Sequence, residues 1–297
     1  MQRTLGTLAL VALLVLAGCG GPSGSGGTNA TTIDSSGASP PNTDGSSTTS
    51  TVSANAAATS GDLPPGVNES GIENTTALLQ AHQAALVESG FETVVRRNGT
   101  GVQANRTVAF DQSQRVVAAA GAETYRSRVV LGGQRTAYDF WSNGSTALVR
   151  AQVGNRTRYQ RSSGRPTTRL TSVGLLGTTV AAGNYTLTAV NGSGDERRIT
   201  LQTRTLTNAS LLLPANATNV SGYESTLVLD GEGRLRSLEA VANYTIGERE
   251  ARYELRYVLQ QAGDVAVERP SWVGTALNRS GTNSSTVNRS GPTDSAS

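Results

Sequence analysis

Lysine is absent from this chain of 297 residues, and all 25 of its basic residues are arginine. That excludes Schiff-base chemistry on lysine and a phosphate-binding P-loop, both of which require the amine. Cysteine, histidine and methionine occur once each, as Cys19, His82 and Met1. A single thiol forms no internal disulfide, and one histidine without a second cysteine excludes the usual zinc ligand sets. No Gly-x-Ser-x-Gly nucleophile elbow is present either. Basic and acidic residues nearly cancel, 25 against 22 for a net charge of +3, and the arginines are dispersed. Nucleic acid as a partner calls for clustered basic charge, so none is expected. These absences predict a non-enzymatic protein with no cofactor and no metal.

Residues 1–18 begin with a basic start at Arg3, continue in an apolar run from Leu5 to Ala17 and end on Gly18. The run is shorter than the roughly 20 residues a membrane-spanning helix needs, and the small-residue exit marks a secretory leader. Leu16-Ala17-Gly18-Cys19 resembles the prokaryotic lipobox, in which the cysteine becomes the first residue of the mature chain and carries lipid. The chemistry needs a thiolate there, and the only cysteine of the chain occupies the position. The partner implied is a membrane, and the location is the outer face of the cytoplasmic membrane.

A second pattern points outward independently. Of 18 asparagines, 16 lie in Asn-x-Ser/Thr sequons: Asn29, Asn68, Asn74, Asn98, Asn105, Asn143, Asn155, Asn184, Asn191, Asn208, Asn216, Asn219, Asn243, Asn278, Asn283 and Asn288. Chance placement among the abundant Ser and Thr would give only about 4, so the excess fits N-glycosylation of an exported surface.

Residues 19–65 are dominated by Gly, Ser, Thr, Ala and Asn without apolar periodicity, the composition of a flexible tether spanning roughly 40 Å. Residues 276–297 have the same character and read as a disordered tail, with Trp272 as the last anchored aromatic. Between them, residues 66–275 suit a single domain. The spacing of Leu78, Leu79, His82, Ala85 and Leu86 predicts a helix over 75–88 with Asn74 as its cap. A second helix is predicted over 168–182, after Pro166 and weakened by Gly174 and Gly177. Short alternating runs elsewhere predict strands near 91–98, 102–110, 123–132, 134–141, 145–153, 184–190 and 195–204. Three more close the domain: one carrying Tyr223, Ser225, Leu227 and Leu229, one over 234–246 with a bulge, and one over 251–259. Without regular βαβ alternation the pattern favours an antiparallel α+β fold.

Sequon spacing checks the register, because Asn and Thr two apart share a strand face. At Asn184-Tyr185-Thr186 it sends Tyr185, Leu187 and Ala189 inward. At Asn155-Arg156-Thr157 it groups Tyr159 with the sugar, so either that sequon is unused or no strand lies there.

The motif Leu63-Pro64-Pro65-Gly66-Val67, leading through Gly71-Ile72 to Leu78-Leu79-Gln80-Ala81-His82, together with the lipobox, the tether and Tyr253-Glu254-Leu255-Arg256-Tyr257, resembles a family of haloarchaeal lipoproteins of unknown function. At the level of fold the layout is similar to LolA-type lipoprotein carriers. That likeness implies a curved antiparallel half-barrel sheet covered by two or three helices around an apolar cavity.

Three candidate sites carry a bland reading beside the functional one. His82 is placed to act as a general base, but a lone histidine on an apolar stripe more often packs. Asp139 has no carboxylate partner and reads as a strand-edge residue beside a core tryptophan. The arginines at 126, 128, 135, 150, 156, 158, 161, 165 and 169 suit anionic headgroups or sugars, with a solvated sheet face as the favoured reading. The function expected is binding of an apolar ligand, a lipid or lipoprotein acyl chain, against a face made of Tyr185, Leu187, Leu227, Leu229, Tyr253, Leu255 and Tyr257. The alternative is an envelope interaction module without a cavity, whose partner is the surface layer or another exported protein.

Overall fold

The computed structural model describes residues 63–103, 106–132 and 135–282. The leader, most of the tether, Cys19 and the sequons at Asn29, Asn105, Asn283 and Asn288 lie outside the described residues.

The described chain opens with a two-strand hairpin, β1 (Val67–Asn68) and β2 (Gly71–Ile72), and then α1 (Thr75–Ser89). Six strands follow: β3 (Phe91–Gln103), β4 (Arg106–Ala118), β5 (Thr124–Leu131), β6 (Thr136–Asn143), β7 (Ala147–Val153) and β8 (Arg156–Ser162). The short α2 (Thr167–Leu170) and α3 (Val173–Ala181) lead to β9 (Thr186–Asn191) and β10 (Arg198–Thr203). The last sheet strands are β11 (Ala217–Asp230), β12 (Leu235–Ile246) and β13 (Arg249–Ala262), and α4 (Trp272–Thr282) ends the described chain. Apart from the hairpin, all strands join one antiparallel sheet of eleven in the order β8-β7-β6-β5-β4-β3-β13-β12-β11-β10-β9. The fold is a large antiparallel sheet with few helices, and its strand order has two ends rather than a closed ring.

Alternation decides which side chains meet which layer. On β13, Ala251, Tyr253, Leu255, Tyr257 and Leu259 are buried while Arg252 and Arg256 are exposed. Leu78, His82 and Leu86 form the buried stripe of α1 at i, i+4, i+8. They join the core of β3 and β10–β13 together with Leu170, Leu176 and Val180 of α2 and α3. The face beneath α1–α3 is called inner here and the opposite face outer. Asn74 caps α1 as predicted, its side-chain oxygen accepting from the Ala77 N–H at 3.0 Å. Gly90 closes it at φ +78, its N–H donating to Leu86 O at 3.0 Å.

Five expectations are corrected. No single strand runs over 102–110: β3 continues to Gln103 and β4 extends from Arg106 to Ala118. The helix predicted over 168–182 is two helices, because Ser172 adopts φ +60 and breaks the hydrogen-bond ladder between them. A strand, β8, does follow Asn155, and the sequon conflict dissolves because Tyr159 packs on the outer face, stacked on Trp272 with centroids 6.2 Å apart. The segment 276–282, expected as tail, continues α4, whose Trp272, Val273 and Ala276 are buried against Trp141 and Leu148. Finally, the domain begins before residue 66: Pro64 is buried and Leu63 packs on the core. The bulge expected in 234–246 is present. Leu229 pairs with Leu235 but Val228 with Ser237, leaving Arg236 as the extra residue.

The hairpin is tied to the sheet through Gly71. Its φ is +140, Ile72 N donates to Tyr185 O at 3.3 Å, and a Cβ at position 71 would lie 1.9 Å from that same oxygen. Gly71→Ala is therefore expected to detach the hairpin at a cost of about 1–3 kcal/mol. Urea unfolding with an unchanged midpoint would refute this account.

Candidate functional site

The inner face holds every side chain predicted to form a ligand surface. Tyr185, Leu227, Leu229, Tyr253, Leu255 and Tyr257 are buried in the core, and Leu187 on β9 is half-buried against it. The register check at Asn184 holds for Tyr185 and Leu187, with Asn184 and Thr186 exposed on either side of buried Tyr185, but fails at Ala189: a bulge at Thr188 pairs Leu187 with Leu201 and Ala189 with Thr200, so Val190 packs on the core instead. The structure brings these residues together but encloses them: they are core, packed with the α1 and α3 side chains.

Polar groups inside this core are matched in part: Tyr185, Ser225 and His82 have local partners, whereas the Thr93 and Tyr223 hydroxyls have none among the described residues. Ser225 Oγ donates to Glu239 O at 2.7 Å, which leaves its lone pairs to accept from the Tyr185 hydroxyl at 2.6 Å. Burial raises Tyr185 and Tyr257 well above the ordinary phenol range and pushes Tyr253 up to about 12. His82 is fully buried. Its Nδ1 accepts from the Leu235 N–H at 3.0 Å, which leaves Nε2 to carry the proton facing the Tyr257 hydroxyl at 3.4 Å. Desolvation lowers its pKa to about 4, against a smaller opposing pull from Asp230. The packed reading of His82 is thus the observed one, and the residue ties α1 to the β11–β12 turn.

The helices do not cover the whole inner face. Register places Gly99, Phe110 and Val108 beyond them on β3 and β4, and Leu131, Thr136 and Val153 in one row across β5, β6 and β7. Phe110, Leu131 and Tyr138 are half-buried, and Val108 and Val153 are 41% and 37% exposed. Tyr138 stacks on Phe140 with centroids 6.5 Å apart. Arg97 stands at the edge of this strip, its guanidinium 5.4 Å from the Phe110 ring centre. Residues 163–170 border it on the other side: Arg165 lies over Phe140 at 4.5 Å, and its backbone N–H donates to the Tyr125 hydroxyl at 2.6 Å. Sequence reasoning missed the strip because it is defined by what the helices leave open, a long-range property. By contrast, a shallow outer-face groove lined by Arg96, Asn98, Asp111 and Ser113 is polar throughout.

Asp139 lies on β6 inside the sheet and not at an edge. It is buried on the outer face, hydrogen-bonded by Arg150, with Arg126 at 3.5 Å and Arg128 at 3.8 Å. The arginine series is therefore divided. Arg126, Arg128, Arg150 and Arg161 share the outer face, Arg135 lies exposed in the turn before β6, Arg165 and Arg169 belong to the crossing segment, and Arg156 and Arg158 fall on the inner side of β8, opposite Val153 and Ala151. Charged residues on a terminal strand discourage pairing with other chains.

Twelve sequon asparagines are described. Asn68 is half-buried, and Asn74, Asn98, Asn143, Asn155, Asn184, Asn191, Asn208, Asn216, Asn219, Asn243 and Asn278 are exposed.

No family model matches the chain and no curated protein matches it. Among solved structures, it is similar to a putative outer membrane lipoprotein-sorting protein domain from Vibrio parahaemolyticus, at 10% identity, 67% of this chain and 96% of that one, with a TM-score of 0.24. A LolA-superfamily protein from Nitrosomonas europaea gives 10% identity, 66% and 94% coverage, and a TM-score of 0.23. A DUF1329 family protein from Desulfovibrio piger gives 9% identity, 67% and 95% coverage, and 0.25. At such TM-scores the likenesses carry no argument about what this chain does.

Proposed function

We propose that this is an exported, glycosylated lipoprotein, anchored through Cys19 to the outer face of the cytoplasmic membrane, whose sheet forms a half-barrel that binds an apolar ligand such as a lipid or an acyl chain without catalysing a reaction. The observation that carries the reading is the uncovered continuation of the inner apolar face, Val108, Phe110, Leu131, Tyr138 and Val153, running on from a fully buried core. Each CH2 that a ligand buries there contributes about 0.8 kcal/mol, so an acyl chain binds without polar contacts. The predicted face at Tyr185, Leu227, Leu229, Tyr253, Leu255 and Tyr257 becomes available only when α1 or α3 moves. Among the described residues no helix is long and apolar enough to cross a membrane.

Native mass spectrometry of the mature protein, followed by organic extraction, is expected to release an apolar molecule. Leu131→Glu and Phe110→Glu are expected to lower its recovery at least about tenfold while the fold persists, because a carboxylate cannot enter an apolar contact without a partner. A protein that carries nothing, and takes up no added fatty acid, would defeat this reading. It would leave the alternative, an envelope interaction module, which the enclosure of Tyr185, Tyr253 and Tyr257 favours.

A further inference from the structure

The outer face of the sheet is electrostatically divided. Over β3, β4 and β10–β13 four of its arginines meet carboxylates, Arg115–Glu92 at 2.9 Å, Arg256–Glu239 at 3.1 Å, Arg252–Glu254 at 2.6 Å and Arg204–Glu224 at 3.7 Å, and Arg96 shares the polar groove with Asp111. Over β5–β8 the pattern changes. Arg126, Arg128, Arg150 and Arg161 share that face, and Arg269 and Arg279 are added beside α4, over the rings of Trp141 and Tyr159 at 5.9 and 5.4 Å. Among the described residues of these strands' outer face and α4, the only carboxylate is Asp139, and it is already shared by three of the arginines. Glu268 precedes Arg269 in the segment leading into α4. The result is an arginine-rich field in which Asp139 is the buried counterion of three arginines and Glu268 stands beside Arg269, while α4 packs Trp272 against Trp141, Leu148 and Tyr159.

We infer that this half of the outer face docks on an anionic lipid surface, the arginines meeting headgroup phosphates. Three observations select that occupant. The charge is of one sign and spread over a sheet face, so it complements a plane of anions better than a single small ligand. Arginine contacts phosphate through a planar fork and remains charged at any working pH. Arg269 and Arg279 are held over the rings of Trp141 and Tyr159, which orders them at the rim of the patch. The inference rests on the proposed membrane anchor for its biological setting but not for its test, which uses protein without lipid. A tether of roughly 40 Å lets the domain reach the surface to which its N-terminus is fixed.

The test measures co-sedimentation of the mature chain from residue 19, produced without lipid, with vesicles. Vesicles of phosphatidylglycerol are expected to bind it and vesicles of phosphatidylcholine are not, with binding lost as salt is raised. Arg126→Gln, Arg128→Gln and Arg161→Gln combined are expected to weaken binding about a hundredfold, at roughly tenfold or less per arginine near an anionic surface. Arg252→Gln with Arg256→Gln, on the paired half, is expected to change it less than about threefold by the same measure. Thermal unfolding of each variant separates lost binding from lost folding. Equal binding to both vesicle types overturns the inference, as does the same weakening by both variant sets. Saturation of the patch by inorganic phosphate alone would show a discrete anion site and likewise overturn it. So would a glycan at Asn278 on α4, since a sugar beside the patch would hold it off the headgroups. Failure of the anchor leaves all these outcomes readable.

Discussion

Cys19→Ser is expected to abolish lipid attachment and to leave the chain uncut, still beginning at Met1. The effect is all-or-none, because lipid transfer requires a thiolate and the chain has no second cysteine to substitute. A serine hydroxyl does not ionise at working pH, so it offers no comparable nucleophile. The wild-type chain is expected to yield an N-terminal peptide that starts at Cys19 and carries the added lipid mass. Two outcomes would defeat the assignment: a wild-type peptide starting at unmodified Cys19, and a wild-type chain that keeps Met1. The energetics set a further expectation. A single acyl chain of about fourteen carbons gives only reversible membrane binding, so stable anchoring needs two chains or one chain and a second attraction. The arginine field over β5–β8 would supply such a second attraction, and the vesicle measurement isolates it because the anchor is missing there.

Much of the inner face was legible because its signals are local. Asn74, Leu78, His82 and Leu86 mark a helix start and a buried stripe within thirteen residues, and the structure has all of them. The strand from Tyr223 to Leu229 and that from Ala251 to Leu259 show period-2 alternation, and their burial follows it. Strand β8 was obscure because its only large apolar residue is Tyr159; its pairing is imposed by β7 and by Trp272, more than a hundred residues on. Helix α4 was obscured by Gly274, Asn278, Ser280 and Gly281, which are poor helix formers. Tertiary contact outweighs propensity there: Trp272, Val273 and Ala276 recur at helical spacing and are buried against Trp141 and Leu148.

The site was less legible than the fold for a related reason. Composition identifies Leu227 or Tyr257 as apolar, but whether such a residue faces a ligand or a helix depends on which helix crosses which strand. The structure answers with α1 and α3, and the face predicted for ligand is core. Conversely, Leu131 and Phe110 stand out only once β4 and β5 are seen to extend past the helices. Asp139 shows the same limit. Its arginine partners sit on two other strands, Arg126 and Arg128 on β5 and Arg150 on β7, and only the register Arg128–Asp139–Arg150 brings them together.

His82→Ala is expected to lower the unfolding free energy at pH 7 by about 3 kcal/mol or more. The alanine removes the acceptor of the buried Leu235 N–H, at about 1–3 kcal/mol for an orphaned donor, and leaves a hole beside Tyr257. The pH dependence distinguishes this account from generic core damage. The folded state holds His82 neutral with a pKa near 4, against 6.5 for the free side chain, mainly because burial penalises the imidazolium; Arg234 disfavours the charge further and Asp230 opposes both. As pH falls, the unfolded chain therefore takes up a proton before the folded one does. The contribution is fully present above about pH 6.5 and is lost progressively down to about pH 4, amounting to roughly 3 kcal/mol at 1.36 kcal/mol per pKa unit. Urea unfolding at steps from pH 7 to 4 should show wild type losing that amount, on top of a background shared with the variant. His82→Ala, already destabilised, should show only the background. His82→Gln, which keeps an acceptor for Leu235 N–H, should recover part of the stability at pH 7 without restoring the slope. Parallel curves for wild type and His82→Ala across this window would mean that His82 is not buried as a neutral ring.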